Sequence, residues 1–203
     1  MKEFKKKMKE KIKKYSNEQY LDGYIENEFL TGDGDADIFL NIHDKFELFN
    51  SWTVGDQVDL ENDVYDFIEK KTAMLNNDVP INLHILGCEF TPHEQGVIRH
   101  ILKEHYAIEL YKVQKEFKRL RNKIIGLFIF GLICFFLYTV LYFQENFNYL
   151  GEVFGFLFSF SLWEAMDRLI YSLSEIRNER EAVTQNLLME VDFNDANPIE
   201  KDI

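Results

Sequence analysis

Residues 124–143, IIGLFIFGLICFFLYTVLYF, form a run of twenty without a charged side chain. At about 1.5 Å per residue, such a helix is roughly 30 Å long, the thickness of a bilayer's hydrocarbon core. A helix buried in a soluble core would ordinarily keep a polar stripe, and this run has none. It reads as a transmembrane helix. A second apolar stretch, 153–163, is interrupted only by Ser159 and Ser161, and then Glu164, Asp167 and Arg168 intrude. Eleven residues are too few to cross alone. Yet no Pro, and no Gly after Gly155, breaks the helical pattern from Leu150 to about Met189. A second span over 150–170 is therefore expected, with charge in its last turns; an interfacial helix is the alternative.

The bases orient these spans. Lys112, Lys115, Lys118, Arg119, Arg121 and Lys123 precede the first, and Arg168, Arg177 and Arg180 end or follow the second. The connection between them has no Lys or Arg. An excess of bases on the cytoplasmic side then puts both termini in the cytoplasm. The opening residues have no apolar core of a cleavable signal, so the first span is expected to act as its own insertion signal. Cys88 and Cys134 would lie in the cytosol and the membrane, and no disulfide is expected.

The whole chain of 203 residues is 46% hydrophobic and 29% charged, with net charge −12. Its mean hydropathy of −0.26 conceals a strong segregation. The net charge is +6 over 1–14, −14 over 15–105, +4 over 106–124 and −8 over 125–203. Fifteen per cent aromatics exclude intrinsic disorder, and two cysteines exclude a disulfide scaffold. An overall acidic charge argues against general polyanion binding, except where bases concentrate. They do so in 1–14, where Phe4, Met8 and Ile12 make an apolar stripe among Lys5, Lys6, Lys7, Lys9, Lys11, Lys13 and Lys14. These lysines are the candidate ligand-binding residues. A solvated terminus, docking on anionic headgroups and binding of a nucleotide or short oligonucleotide all fit the pattern.

The acidic part reads as a small α+β domain of about three strands. Residues 24–30 and 37–42 are strand-like around the turn at 31–35. Residues 60–75 read as a helix with Asp59 as N-cap and Val64, Phe67, Ile68 and Leu75 on its apolar face. Residues 80–88 alternate Ile81, Leu83 and Ile85 as a strand does. Thr91, Pro92 and Glu94 then form a capping box with Pro at the first helical position. Leu169, Leu173, Ile176, Val183, Leu187 and Val191 stripe the last helix and require a partner, either 101–120 or another subunit. The expected organisation is a basic amphipathic helix (1–20), an acidic α+β domain (21–91) and a helical stalk (92–123). A span (124–143), an external loop (144–149), a second span (150–170), a cytosolic helix (171–192) and a tail (193–203) follow.

Asp33, Asp35 and Asp37 resemble the start of a calcium loop, but Ile38 and Asp44 occupy the positions that need Gly and Glu. His84, Cys88, His93 and His100 fit no standard zinc spacing. With no nucleophile–base pair and no phosphate-cradling Gly loop, neither an enzyme nor a cofactor or metal is expected. The distinctive constellation is residues 161–168, SLWEAMDR. Glu164 and Arg168 stand at i, i+4 with the acid first, the favourable order. Ionisable groups near a bilayer's interior usually face protein or water. Gly151, Gly155 and Ser159 present a small-residue face for close helix packing. Glu152, Ser159, Trp163, Glu164, Asp167 and Arg168 are thus the candidate pore and gating residues. Two spans cannot enclose a conduit, so a pore requires a homo-oligomer in the bilayer.

Two spans, an α+β cytosolic part and Trp163-Glu164-Ala165-x-Asp167 at the end of the second span resemble two-span effectors of nucleotide-signalled anti-phage systems, the Hailong-type channel effectors. The likeness runs over 80–190. It implies an oligomeric channel of the bacterial inner membrane, whose opening depolarises the cell in response to the nucleotide product of a companion enzyme. It transfers no binding residue. The competing expectation is a membrane-tethered adaptor whose acidic domain recruits a protein partner.

Overall fold

A computed structural model describes residues 29–31, 34–51, 53, 58–143 and 148–193. The seven candidate lysines of 1–14, the strand expected over 24–28 and most of the 144–149 loop lie outside them, as does the tail after residue 193. The chain divides into two compact units, an α/β unit (residues 1–107 and 184–203) and a helical unit (residues 108–183).

The α/β unit is a three-stranded sheet in the order β1 (Ala36–Asn41), β2 (Ile81–Leu86), β3 (Glu190–Phe193), and every pairing is parallel. Two short helices lie between the first two strands, α1 (Lys45–Leu48) and α2 (Asn62–Thr72). The 51-residue α3 (Pro92–Tyr142) starts here after β2. Helix and sheet are mixed, as expected, but strands and helices alternate along the chain instead of segregating. Ile38, Leu83 and Ile85 are buried with Ile68 of α2 and Ile98 and Leu102 of α3. Helix α2 and the first turns of α3 both pack into the core that Ile38, Leu83 and Ile85 share. Asp37, Phe39, Asn82 and His84 alternate onto the opposite side.

Two local expectations change. Of the strand expected over 24–30 only Phe29 and Leu30 are described, and Leu30 makes an antiparallel bridge to Ala36. The third strand of the sheet is β3, inside the stretch expected to be helical to residue 192. The last helix stops at Leu188, and Glu-Val-Asp-Phe supplies a period-two pattern that the free edge of β2 accepts. The α2 helix has Glu61 at its N-cap, and Asp59 does not cap it. Asp59 instead accepts hydrogen bonds from the Leu60 N–H (2.8 Å) and the Tyr65 hydroxyl (2.6 Å). Burial of Tyr65 and that hydrogen bond push its phenol pKa upward.

The capping box at α3 forms as read. Glu94 Oε2 accepts from the Thr91 N–H at 2.7 Å, and Thr91 Oγ1 accepts from the Glu94 N–H at 3.3 Å. Lys45 Nζ also donates to both Glu94 oxygens, at 3.0 and 2.9 Å. The Lys45 hydrogen bond, helped by Thr91, lowers the Glu94 carboxyl from 4.5 to about 2. A carboxyl depressed in the folded state contributes stability above its unfolded pKa and loses it as pH falls through the folded value. Acid unfolding of the α/β unit should therefore steepen between about pH 4.5 and pH 2. Denaturant midpoints measured across that window should flatten in Glu94→Gln, and an unchanged slope would contradict the role.

In the helical unit, α3 continues to Tyr142, followed by α4 (Asn148–Asp167), a five-residue π-helical turn (Arg168–Ser172) and α5 (Leu173–Leu188). The last turns of α5 belong to the α/β unit. Among the described residues α3 is the one helix long and apolar enough to cross a membrane. Its best 18-residue window has mean hydropathy 2.7, with 17% of it buried. In α4 the apolar run is broken by Glu152 and Glu164, and that helix falls short of the same standard.

Candidate functional site

The inward residues of α3 in the helical unit are Val113, Phe117, Leu120, Ile124, Leu127, Gly131 and Cys134, an alternating four–three spacing like the seam of a coiled coil. Against it α4 sets Gly151, Gly155, Phe158, Ser161 and Ala165. A Cβ added at Gly131 would sit 3.6 Å from the Ser161 Cβ, and one at Gly155 would sit 3.2 Å from the Tyr138 ring. One at Gly151 would lie 3.4 Å from the Tyr142 backbone nitrogen. These contacts run in opposite directions along the two helices, and the Phe135 and Phe158 rings meet at 5.1 Å between them.

The small-residue face is therefore real at Gly151 and Gly155 but shifts from Ser159 to Ser161. Each residue turns a helix by about 100°, so Ser159 stands about 100° from the seam residue Phe158, whereas Ser161 stands about 60° from it. Ser159 is exposed, and its hydroxyl donates to the Gly155 carbonyl of its own helix at 3.0 Å. Ser161 is buried and donates to the Leu157 carbonyl at 2.7 Å.

At the end of this seam the Glu164–Arg168 pair forms. Arg168 Nε donates to Glu164 Oε1 at 2.8 Å, and Nη2 approaches the same oxygen at 2.6 Å. Both residues line a hollow of about 410 Å³ with Lys123, Gly126 and Leu127 of α3. Gly126 leaves this wall open, since a Cβ there would meet nothing within 4 Å. Two cations thus face one carboxylate. In water an i, i+4 pair of this kind is worth about 0.3–0.5 kcal/mol. The π turn begins at Arg168 itself, where the Leu173 N–H bonds to the Arg168 carbonyl.

Four other candidates are not drawn into this cluster. Glu152 and Asp167 are exposed, Ser159 faces outward, and Trp163 is 74% exposed. In the sequence Lys123 contributes only to the orienting charge; no pair spacing links it to Glu164, because the two helices meet through tertiary packing alone. His84 stacks on Phe39 with ring centroids 5.0 Å apart, and its Nε2 lies 3.2 Å from Asp37 Oδ1. Neither ring nitrogen has a hydrogen-bond partner among the described residues. Cys88 Sγ donates to the Ile42 carbonyl at 3.3 Å. Among the described residues no three His, Cys, Asp or Glu side chains converge as metal ligands.

The α/β unit holds two further hollows. One, of about 440 Å³, is lined by Phe46, Phe49, Val58, His93 and Val97 among others, beside the Lys45–Glu94 pair. The other, of about 420 Å³, lies between α3 and β3 and includes Arg99, Lys103 and Asn186. Nothing in the sequence marked Gln185 and Asn186 beyond two amides beside an apolar stripe. Both are buried. Gln185 Nε2 donates to the Asn76 and Val79 carbonyls at 2.8 and 2.7 Å and so ties α5 to the loop before β2. Comparison with protein-family models, curated proteins and solved structures finds no match for the chain.

Proposed function

We propose that this protein is a membrane-embedded homo-oligomer in which α3 and α4 form a two-span hairpin and the α/β unit controls an ion path in response to a cytoplasmic signal. The observation that carries the reading is the outward apolar surface of both helices around a charged cluster. Ile129, Leu132, Phe136 and Val140 of α3 and Val153, Phe156 and Phe160 of α4 are all exposed. Monomeric soluble proteins rarely expose so much contiguous apolar surface, and lipid or further copies of the chain would cover it. The bases from Lys112 to Lys123 support a cytoplasmic side for the α/β unit. Lys123, Glu164 and Arg168 would then sit near the cytoplasmic mouth, where charge costs least and ions must pass. The resemblance noted in the sequence adds an anti-phage setting and a nucleotide or short oligonucleotide as signal, for which the lysines of 1–14 are the sequence candidates.

Native mass in detergent and single-channel recording in planar bilayers test the proposal. A monomer without conductance would sink it. Removing one partner of a desolvated charge pair leaves the other uncompensated. Glu164→Gln is therefore expected to weaken assembly by tenfold or more, about 1.4 kcal/mol, or to shift the reversal potential toward anions. Glu152→Gln should change cation preference without altering assembly. Wild-type assembly, conductance and reversal potential in Glu164→Gln would make the pair a passive feature.

A second reading, the membrane-tethered adaptor, draws on one observation. Phe46 is 85% exposed beside the apolar hollow of α1, a shape suited to a partner's side chain. Abolished partner capture in Phe46→Ser, with no conductance in the wild type, would favour it.

A further inference from the structure

The hollow between the first turns of α3 and strand β3 has three properties that belong together. First, an orphan acceptor lies in its wall. Asn186 lines the hollow, is 6% exposed, and its buried Oδ1 has no hydrogen-bond partner among the described residues. Buried polar atoms are nearly always paired, as is its neighbour Gln185, whose Nε2 donates to two carbonyls. Second, two cations face it. Arg99 and Lys103 stand one turn apart on α3 and line the same hollow. Arg99 is fixed in place: its Nε donates to the Val191 carbonyl at 3.0 Å, and its guanidinium lies 5.0 Å from the Phe193 ring centre. That leaves its terminal nitrogens as donors. Lys103 has no ion-pair partner among the described residues.

Third, the acids that border the hollow do not cancel these charges. Val191 and Phe193 pack toward the core, so strand alternation carries the Glu190 and Asp192 side chains to the opposite face. They meet the hollow through their main chain. The volume of about 420 Å³ falls within the range of small-molecule sites.

We infer that this hollow binds a small phosphate monoester whose organic part carries a hydroxyl or amino group, the class that includes sugar phosphates and mononucleotides. A phosphate monoester carries about −1.5 to −2 charges at neutral pH, matching two cations better than a carboxylate would. Its hydroxyl or amino hydrogen satisfies Asn186 Oδ1 once the amide, whose oxygen is closed off here, turns toward the hollow. Bound there, it ties Lys103 on α3 to Asn186 on α5 across the edge of the sheet. The inference concerns the α/β unit alone and stands whether or not the chain conducts ions.

The test uses the full chain in detergent with ribose 5-phosphate and adenosine 5′-monophosphate as probes, and with inorganic phosphate and adenosine as controls. Calorimetric titration should show at least one ester binding, and both controls at least tenfold weaker. Lys103→Gln, at an exposed position, should lower that affinity tenfold or more, and the affinity should fall with salt. Asn186→Leu removes the orphan acceptor. It should leave the melting midpoint unchanged or raised while binding falls tenfold or more, a split that a purely structural asparagine would not produce. Absence of binding by both esters at millimolar concentration, equal binding of inorganic phosphate, or wild-type affinity in Lys103→Gln would overturn the assignment. None of these results depends on membrane insertion or conductance, so the two proposals fail separately.

Discussion

Arginine at both Leu132 and Phe136 is expected to expel the chain from the membrane. Leu132 and Phe136 are each 65% exposed on α3, inside the uncharged run. On insertion scales Arg at a helix centre costs about 2.5–3.5 kcal/mol, whereas Leu and Phe each contribute about −0.3 to −0.6. The double substitution therefore opposes insertion by roughly 6–8 kcal/mol on the same scale. In a water-facing helix the sign would be opposite. Exposed substitutions usually change stability by within about 0.5 kcal/mol, and removing surface apolar groups aids solubility. Carbonate-resistant membrane association of wild type and variant decides between them. A wild type washed off by carbonate, or a variant retained like the wild type, would remove the span at α3 and the proposed channel with it.

Gly87→Ala carries the largest expected effect on folding. Gly87 follows β2 with φ +95°, a region that costs a residue with a Cβ about 1–2 kcal/mol. A Cβ there would also collide with the Ile42 backbone carbonyl and the Asn41 side chain, at the end of β1. The obstacle is backbone just past β1, held by the Ile42 N–H bond to the Leu86 carbonyl at 2.9 Å, which cannot swing aside as a side chain can. Overpacking adds about 1–3 kcal/mol, so a loss of about 3 kcal/mol or more is expected. Gly34 is the internal control. Its φ is +90°, yet a Cβ there meets nothing within 4 Å, so Gly34→Ala should cost only the backbone part. Urea midpoints of the two variants, followed by circular dichroism, separate the terms. Equal losses would mean that β1 yields at Ile42.

Local signals were legible where they are written within a few residues. The capping box at Thr91 and Glu94 and the Glu164–Arg168 pair need only three- and four-residue spacings, and both form. The strand at β2 followed from alternation, and the one at β1 from a strand-like run after a turn. Asp59 failed as a cap because a phenol six residues on, Tyr65, offers its carboxylate a buried hydrogen bond. Ser159 failed as a packing residue because the α4 seam follows a three–four spacing, which cannot be told from a four–four one without the opposing helix. The unpaired His84 and Asn186 were invisible, since an unsatisfied atom is a property of its surroundings.

The uncharged run at 124–143, the basic block before it and the acidic body were determined by the sequence alone, because hydropathy and charge sum along the chain without knowledge of its path. The same holds for the helix start at Thr91 and the ion pair on one helical turn. The tertiary structure alone decided that residues 190–193 return from the far end of the chain to complete a parallel sheet. Parallel pairing joins strands distant in sequence, and a four-residue segment takes its conformation from the edge it meets. The tertiary structure also decided that Lys123 joins Glu164 and Arg168, and that Arg99, Lys103 and Asn186 share one hollow. Such groupings depend on how separate helices and strands pack, and no spacing within a single element encodes them.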